Sequence, residues 1–119
     1  MGVNVIPARE KKMSRYVFIE SRDPFESRDT EFIEQTAINV KERGHDVTVF
    51  LVQNGVLAAR KSARRLGRLA EAGVTLLADD FSLCERGIQA GELAPGIQES
   101  GIGALVEAIV QENTKAIWH

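Results

Sequence analysis

The feature that most constrains the fold is a set of short β-prone runs separated by segments with helical patterning. The runs are Tyr16–Ile19, Val47–Val52, Val74–Ala78 and, more weakly, Lys115–Trp118. Continuous apolar runs of this length are typical of parallel strands that are covered on both faces. Parallel neighbours need a crossover connection, which is usually a helix. The sequence therefore predicts a three-layer α/β/α sandwich around a mostly parallel sheet of four or five strands, and the interval from Ile88 to Ile97 has room for the fifth.

The helical segments lie at residues 29–44, 56–72 and 100–110. The first has N-cap candidates at Asp29 and Thr30 and a C-terminal stop at Gly44, and the second has a candidate break near Ser62. The third opens at Ser100. The positions that we expect to face the sheet are Phe32, Ile33, Ala37 and Val40 in the first segment, Ala59, Ala63, Leu66 and Ala70 in the second, and Ile102, Leu105, Val106, Ile109 and Val110 in the third.

Length and composition indicate a single domain. The chain has 119 residues, of which 44% are hydrophobic and 27% are charged. Residues 1–12 have no periodic pattern and contain Pro7 and a charged run, so we expect a flexible extension followed by one domain at residues 13–119. No run approaches the length of a transmembrane helix, and the start lacks a secretory apolar segment, so we expect a cytoplasmic protein without a membrane partner.

Charge and cysteine content remove several classes of function. The net charge of -2 argues against direct nucleic-acid binding, and the single cysteine, Cys84, cannot form an intramolecular disulfide. With only His45 and His119 beside it, a structural zinc site lacks ligands. The chain has no P-loop motif, and Gly101-Ile102-Gly103 lacks the third glycine of a dinucleotide fingerprint. We therefore expect neither a metal nor a cofactor.

Candidate site residues follow the predicted strands. Ligands of open parallel sheets bind at the carboxyl ends of the strands. That edge gathers residues 20–24, 53–55 and 79–86 together with His119. The third group contains the chain's only thiol, that of Cys84.

The local sequence around Cys84 suggests a reactive thiol. Ser82 and Glu85 have the spacing of a capping box, which would make Cys84 the second residue of a helix, near its positive end, with Arg86 beside it. The opposing interpretation is that Cys84 is a packed structural residue, since free cysteine is often buried and Asp79, Asp80 and Glu85 disfavour a thiolate. The sequence alone leaves both open.

The second helical segment is strongly basic. Arg60, Arg64 and Arg68 are spaced to share one helix face, and Lys61 and Arg65 lie beside them. The default interpretation is a solvated face. The alternative is a docking surface for an acidic partner or for tRNA.

Four pieces of the chain together resemble the DsrE/DsrF-like family, which includes sulfur-relay subunits of the Tus and Dsr systems. They are the opening strand with its polar loop, residues 50–56, residues 72–74 and residues 84–88, and the resemblance extends from about Ser14 to Trp118. It implies a flavodoxin-like fold and assembly into homotrimers or homohexamers. It also implies, in relay members, a cysteine that carries a persulfide between sulfur donor and acceptor proteins, which by position is Cys84.

The resemblance leads to a hypothesis and to a rival. The hypothesis is a small cytoplasmic sulfur-relay protein, and a sulfurtransferase if it acts as an enzyme, with Cys84 as the catalytic residue and with support from Arg86, Asn54, Arg22, Glu20 and Ser82. The rival is a non-catalytic binding or assembly subunit in which Cys84 is structural. We also expect the terminal Ile117-Trp118-His119 to lie at a subunit interface, because little sequence remains to cover it.

Overall fold

Five parallel strands form one sheet at the centre of the fold. The computed structural model describes residues 13–119, so the expected extension at residues 1–12 lies outside the described residues. The strands are β1 (Arg15–Glu20), β2 (Asp46–Leu51), β3 (Thr75–Asp79), β4 (Ile97–Ser100) and β5 (Thr114–Trp118), in the order β4-β3-β2-β1-β5. Every neighbouring pair is parallel. The prediction of a three-layer α/β fold with a mostly parallel sheet is confirmed. The additional strand that we expected between Ile88 and Ile97 is β4, which begins at Ile97, where that interval ends.

Four α-helices and three short 3-10 segments connect these strands among the described residues. The α-helices are α1 (Asp29–Glu42), α2 (Gly67–Glu71), α3 (Asp80–Glu85) and α4 (Ile102–Ile109). The 3-10 segments are Gln53–Ala59, Lys61–Ala63 and Ala90–Glu92. Gly44, at φ 91°, ends the first helix as predicted. In the described part of the chain, no helix has both the length and the apolar character needed to cross a membrane.

The two faces of the sheet have separate cores. Phe18, Val49 and Leu76 lie on one face, where they pack with residues of α1 and α2. We call this the covered face. Ile19 and Phe50 lie on the other face, where Leu105 of α4 is the buried helical residue that packs against them. We call this the open face.

The prediction of a helix at residues 56–72 is wrong for most of that range. Arg60 is extended (φ -70°, ψ 141°) and forms an isolated antiparallel bridge with Leu93, and Arg64 is left-handed (φ 52°, ψ 42°). These two residues interrupt the helix on either side of Ser62, so only Gly67–Glu71 is α-helical. Because the phase changes, Leu69 is buried and Ala70 is exposed, whereas Ala59 and Leu66 are buried as expected.

Two other predicted helices differ in detail. In α1 the expected inward residue Phe32 is 71% exposed, while Ala37 and Ile38 form the buried stripe. Ser100 ends β4 and does not open α4, which begins at Ile102 with Gly101 as its N-cap residue.

The expected inward stripe of α4 is only partly inward. Leu105 is buried, whereas Ile102, Val106 and Val110 are exposed. The apolar stripe of this helix is therefore wider than the part of the helix that packs against the sheet.

Candidate functional site

The candidate site lies at the carboxyl edge of the sheet, where Gln53–Ala59 crosses close to the end of β1. The backbone N–H of Val52 donates to the carbonyl oxygen of Glu20 at 2.9 Å. A Cβ atom at Gly55 would overlap that same carbonyl group, so only glycine permits this approach. The close crossing brings the loops after β1, β2 and β3 to one edge.

Asp79 caps α3, in place of the predicted Ser82. Asp79 is 7% exposed, and its Oδ2 accepts from the backbone N–H of Ser82 at 3.0 Å and from the Ser82 hydroxyl at 2.7 Å. The Ser82 hydroxyl in turn accepts from the backbone N–H of Gln53 at 2.8 Å. Aspartate, like serine, is among the preferred N-cap residues. Because the helix starts at Asp80, Cys84 is its fifth residue and not its second, and the expected support from the positive helix end is lost.

Arg86 and Asn54 contact each other, as the sequence hypothesis grouped them. Nε and Nη2 of Arg86 donate to Oδ1 of Asn54 at 3.1 and 3.0 Å, and Nη1 donates to the carbonyl oxygen of Ser82 at 3.1 Å. Arg86 also forms an ion pair of 3.6 Å with Glu85. These contacts tie the end of α3 to the 3-10 segment after β2.

Cys84 lies on a different side of α3 from Ser82 and Arg86. Two residues along a helix correspond to a rotation of about 200°, so a side chain at position 84 points away from those at 82 and 86. The thiol is free and exposed, and it lines an open cavity of about 450 Å³. The other lining residues are Asp80, Gly87, Ile88, Gln89, Ala90 and Glu99. The two charged groups in that lining are carboxylates, and the guanidinium of Arg86 is not part of it.

Glu99 was missed at the sequence level. It lies on β4, whose sequence Ile-Gln-Glu-Ser has one apolar residue and no strand pattern. Nothing in the local sequence places this carboxylate near the thiol, because its position follows from the pairing of Ala78 with Glu99 across β3 and β4.

Glu20 forms a second group at the end of β1. Its side chain is almost completely buried and accepts from His119 Nδ1 at 2.9 Å and from the backbone N–H of Arg22 at 3.0 Å. Nε2 of His119 lies 3.8 Å from Oδ2 of Asp29. The Arg22 side chain is exposed, and Glu20 and Arg22 do not line the Cys84 cavity. The structure thus divides the six predicted site residues into three groups.

A separate cavity of about 400 Å³ opens between α3 and α4. Its apolar walls include Phe81, Ile102 and Trp118, and its polar walls include Asp79 and Gln53. Within residues 13–119, no three His, Cys, Asp or Glu side chains gather so that they could hold a metal ion.

Comparison with known proteins supports the same family that the sequence motifs suggested. Residues 14–115 match the DsrE/DsrF-like family. The crystal structure of the ychN protein from E. coli superposes with a TM-score of 0.81 at 18% identity, covering 90% of this chain and 100% of that one. A protein of unknown function from Methanobacterium thermoautotrophicum, MTH1491, gives a TM-score of 0.74 at 22% identity, covering 89% and 99%. At these identities the likeness concerns the fold.

No curated protein sequence matches the chain significantly. The family match nevertheless covers most of the chain, including all five strands apart from the last residues of β5. The chain belongs to the DsrE/DsrF-like family.

Proposed function

We propose that the protein is a sulfur-relay protein that carries a persulfide on Cys84. The observation that carries the proposal is the exposure of the chain's only thiol at the mouth of an open cavity near the carboxyl edge of the sheet. A carrier cysteine must be reached by two different partner proteins, and an exposed thiol meets that requirement whereas a packed one does not. Membership of the DsrE/DsrF-like family is consistent with this role.

The proposed reaction is an exchange of one sulfur atom. The Cys84 thiolate attacks the outer sulfur of a donor persulfide or polysulfide, the donor S–S bond breaks, and the donor leaves as a thiolate with the bonding electron pair. Cys84 then holds a persulfide. An acceptor thiolate attacks its outer sulfur, and the Cys84 thiolate is released. No external oxidant or reductant is consumed.

Three of the other predicted site residues have positioning roles in this proposal. Arg86, Asn54 and Ser82 hold α3 against the segment after β2, which fixes the position of the cavity wall that carries Cys84. Asp80 and Glu99 place negative charge in the cavity that Cys84 lines. We therefore expect a donor or acceptor protein to bring positive charge to the cavity.

Intact-mass measurement after treatment with inorganic polysulfide tests the carrier role. We expect wild type to gain the mass of one sulfur atom and Cys84→Ser to gain none. Cyanide should then release thiocyanate from the loaded wild type and restore its original mass. An unmodified wild type, or equal modification of Cys84→Ser, would contradict the proposal. Arg86→Gln is the control for positioning, and we expect it to slow loading without abolishing it.

A second candidate function, an assembly subunit, is favoured by the exposed apolar side chains of the open face. They are Phe81, Ile102, Val106, Val110 and Trp118. Apolar exposure of this extent marks interaction sites, and a second copy of the chain is a natural occupant because closed symmetric assemblies are common. We propose a cytoplasmic homotrimer or homohexamer that buries this surface.

Light scattering coupled to size exclusion tests the assembly. We expect the mass of three or six chains for wild type and a lower mass for Ile102→Ser/Val106→Ser. The matched control is Asn39→Ser/Glu42→Ser, which changes two exposed side chains of α1 on the covered face and should leave the mass unchanged. A concentration-independent mass of one 13.1 kDa chain for wild type would rule the assembly out.

A further inference from the structure

The segment from Arg60 to Arg68 concentrates positive charge on a protein with a net charge of -2. Five of the chain's 15 lysines and arginines lie in it, at positions 60, 61, 64, 65 and 68. It is not the single helix that the spacing predicts. The extended Arg60 and the left-handed Arg64 divide it, so these side chains do not lie along one helix face.

Two neighbouring hollows open along this segment and share Arg64 and Arg65. The first, of about 290 Å³, is also lined by Glu31, Glu34 and Arg68. The second, of about 550 Å³, is also lined by Lys61, Leu66, Gly67, Glu71, Ala94, Pro95 and Ile97. We call the two hollows together the basic groove. The first hollow is lined by charged side chains of both signs, and the second has apolar residues on its floor and cations beside them.

The cations of the groove are not neutralised by contact ion pairs. Within residues 13–119, none of the five forms a salt bridge with a carboxylate. Arg68 Nη2 donates to the Gln35 amide oxygen at 2.6 Å, and the Arg65 guanidinium lies 5.8 Å from the centroid of Phe25. Lys61 and Arg64 are exposed. Their charge is therefore available to an anionic partner.

The nearest carboxylates compensate this charge only in part. Glu31, Glu34 and Glu71 place three carboxylates in the two hollows, against the four cations of Lys61, Arg64, Arg65 and Arg68.

We propose that the basic groove binds an extended acidic peptide segment of a partner protein. Acidic side chains of the segment pair with Lys61 and Arg64, and an apolar side chain between them rests on Leu66 and Pro95. The planar guanidinium matches a carboxylate with two parallel hydrogen bonds. A nucleic acid fits less well, because its continuous phosphate charge would meet Glu31, Glu34 and Glu71 and would gain little from the apolar floor.

Fluorescence anisotropy with a fluorescein-labelled peptide of repeated Glu-Leu-Asp triplets tests the proposal on the full chain. We expect saturable binding that weakens as salt is added. Lys61→Gln/Arg64→Gln should weaken it about fivefold, since exposed ion pairs are individually modest. The matched control, Arg43→Gln/Lys115→Gln, removes the same charge at the end of α1 and on the far edge strand, and it should bind like wild type.

Further variants and probes make each outcome decisive. Glu71→Lys adds charge to the groove and should tighten binding by a similar factor, which keeps the test valid if the double variant folds poorly. A peptide with glycine in place of leucine should bind more weakly. Equal weakening in the control pair, or tighter binding of labelled oligothymidylate that the groove variant abolishes, would overturn the proposal. Cys84→Ser should bind the peptide like wild type, so this result is separate from the persulfide test.

Discussion

Two rows of side chains cross the sheet at neighbouring positions, one on each face, and they differ in how completely they are covered. On the covered face the paired residues are Ile97, Leu76, Val49, Phe18 and Ile117. All five are apolar, and each is buried or half-buried. On the open face the paired residues are Gln98, Leu77, Phe50, Ile19 and Trp118. There only the middle of the row is buried, and both ends are exposed.

The difference follows from how much helix each face receives. Residues of α1 and α2 pack on the covered face, and Leu83 of α3 joins the same core. The open face receives α4, eight residues long, whose one fully buried side chain is Leu105. One helix of this length buries the middle of the open-face row and leaves both of its ends exposed. The covered face therefore contributes mainly to stability, whereas the open face retains apolar surface for association.

The largest expected effect comes from truncating the covered row. Phe18 is 1% exposed, and we expect Phe18→Ala to lower the free energy of unfolding by about 3–5 kcal/mol, the usual cost of a large core deletion. Trp118 is 65% exposed, and we expect Trp118→Ala to change the unfolding free energy of the isolated monomer by less than about 1 kcal/mol. Urea unfolding followed by circular dichroism measures both.

Protein concentration is the control for that comparison. At concentrations where the wild type associates, Trp118→Ala should lose apparent stability, because binding between copies stabilises the folded state. An equal loss for Phe18→Ala and Trp118→Ala in the monomer would show that the two faces do not differ as described.

The strands were predictable because their signal is local and continuous. Tyr16–Ile19 and Val47–Val52 match β1 and β2 to within one residue at each end. The strand β4 was not predictable in the same way, since its burial depends on pairing with β3 and its sequence is mostly polar. The helix expected at residues 56–72 failed because the approach of Gly55 to β1 and the bridge from Arg60 to Leu93 are long-range contacts, which override helix propensity.

The sequence indicates which edge of the sheet holds the candidate site residues, but not how their side chains are arranged there. The topology brings Glu20, Asn54, Cys84 and His119 to the carboxyl edge of the sheet, as the alternation of parallel strands and helices along the chain implies. The side of α3 that each residue faces depends on where the helix begins. Because the N-cap residue is Asp79 and not the expected Ser82, Cys84 lies near the end of α3 and not at its start. The sequence contains both capping patterns, and long-range packing selects between them.

The next prediction compares the two sides of α3. Ser82→Ala removes the hydroxyl that links buried Asp79 to the backbone N–H of Gln53, so we expect a loss of about 1–3 kcal/mol in unfolding free energy. Cys84→Ser changes an exposed side chain and should stay within about 0.5 kcal/mol of wild type. Both substitutions alter one atom or one small group, so they form a matched pair.

Thermal unfolding monitored by circular dichroism separates these two variants. A loss of comparable size for Cys84→Ser would mean that the thiol is a structural residue, and it would favour the assembly subunit over the persulfide carrier. Unchanged stability for Ser82→Ala would mean that the Asp79–Ser82–Gln53 link does not hold α3 in place.

The smallest expected effect is a pH dependence at the rim of the covered face. Burial raises the pKa of Glu34 above 4.5, so the folded state holds this proton to a higher pH than the unfolded chain does. As pH rises through this window the unfolded chain ionises first, and the free energy of unfolding falls until Glu34 has also ionised in the folded state. Glu34→Gln removes that loss: it should resemble wild type near pH 3 and be more stable at about pH 7. Urea unfolding across this range measures the difference, with Glu26→Gln, an exposed carboxyl before α1, as the control. A variant less stable than wild type at neutral pH would show that attraction to Arg65 and Arg68 outweighs the burial of Glu34.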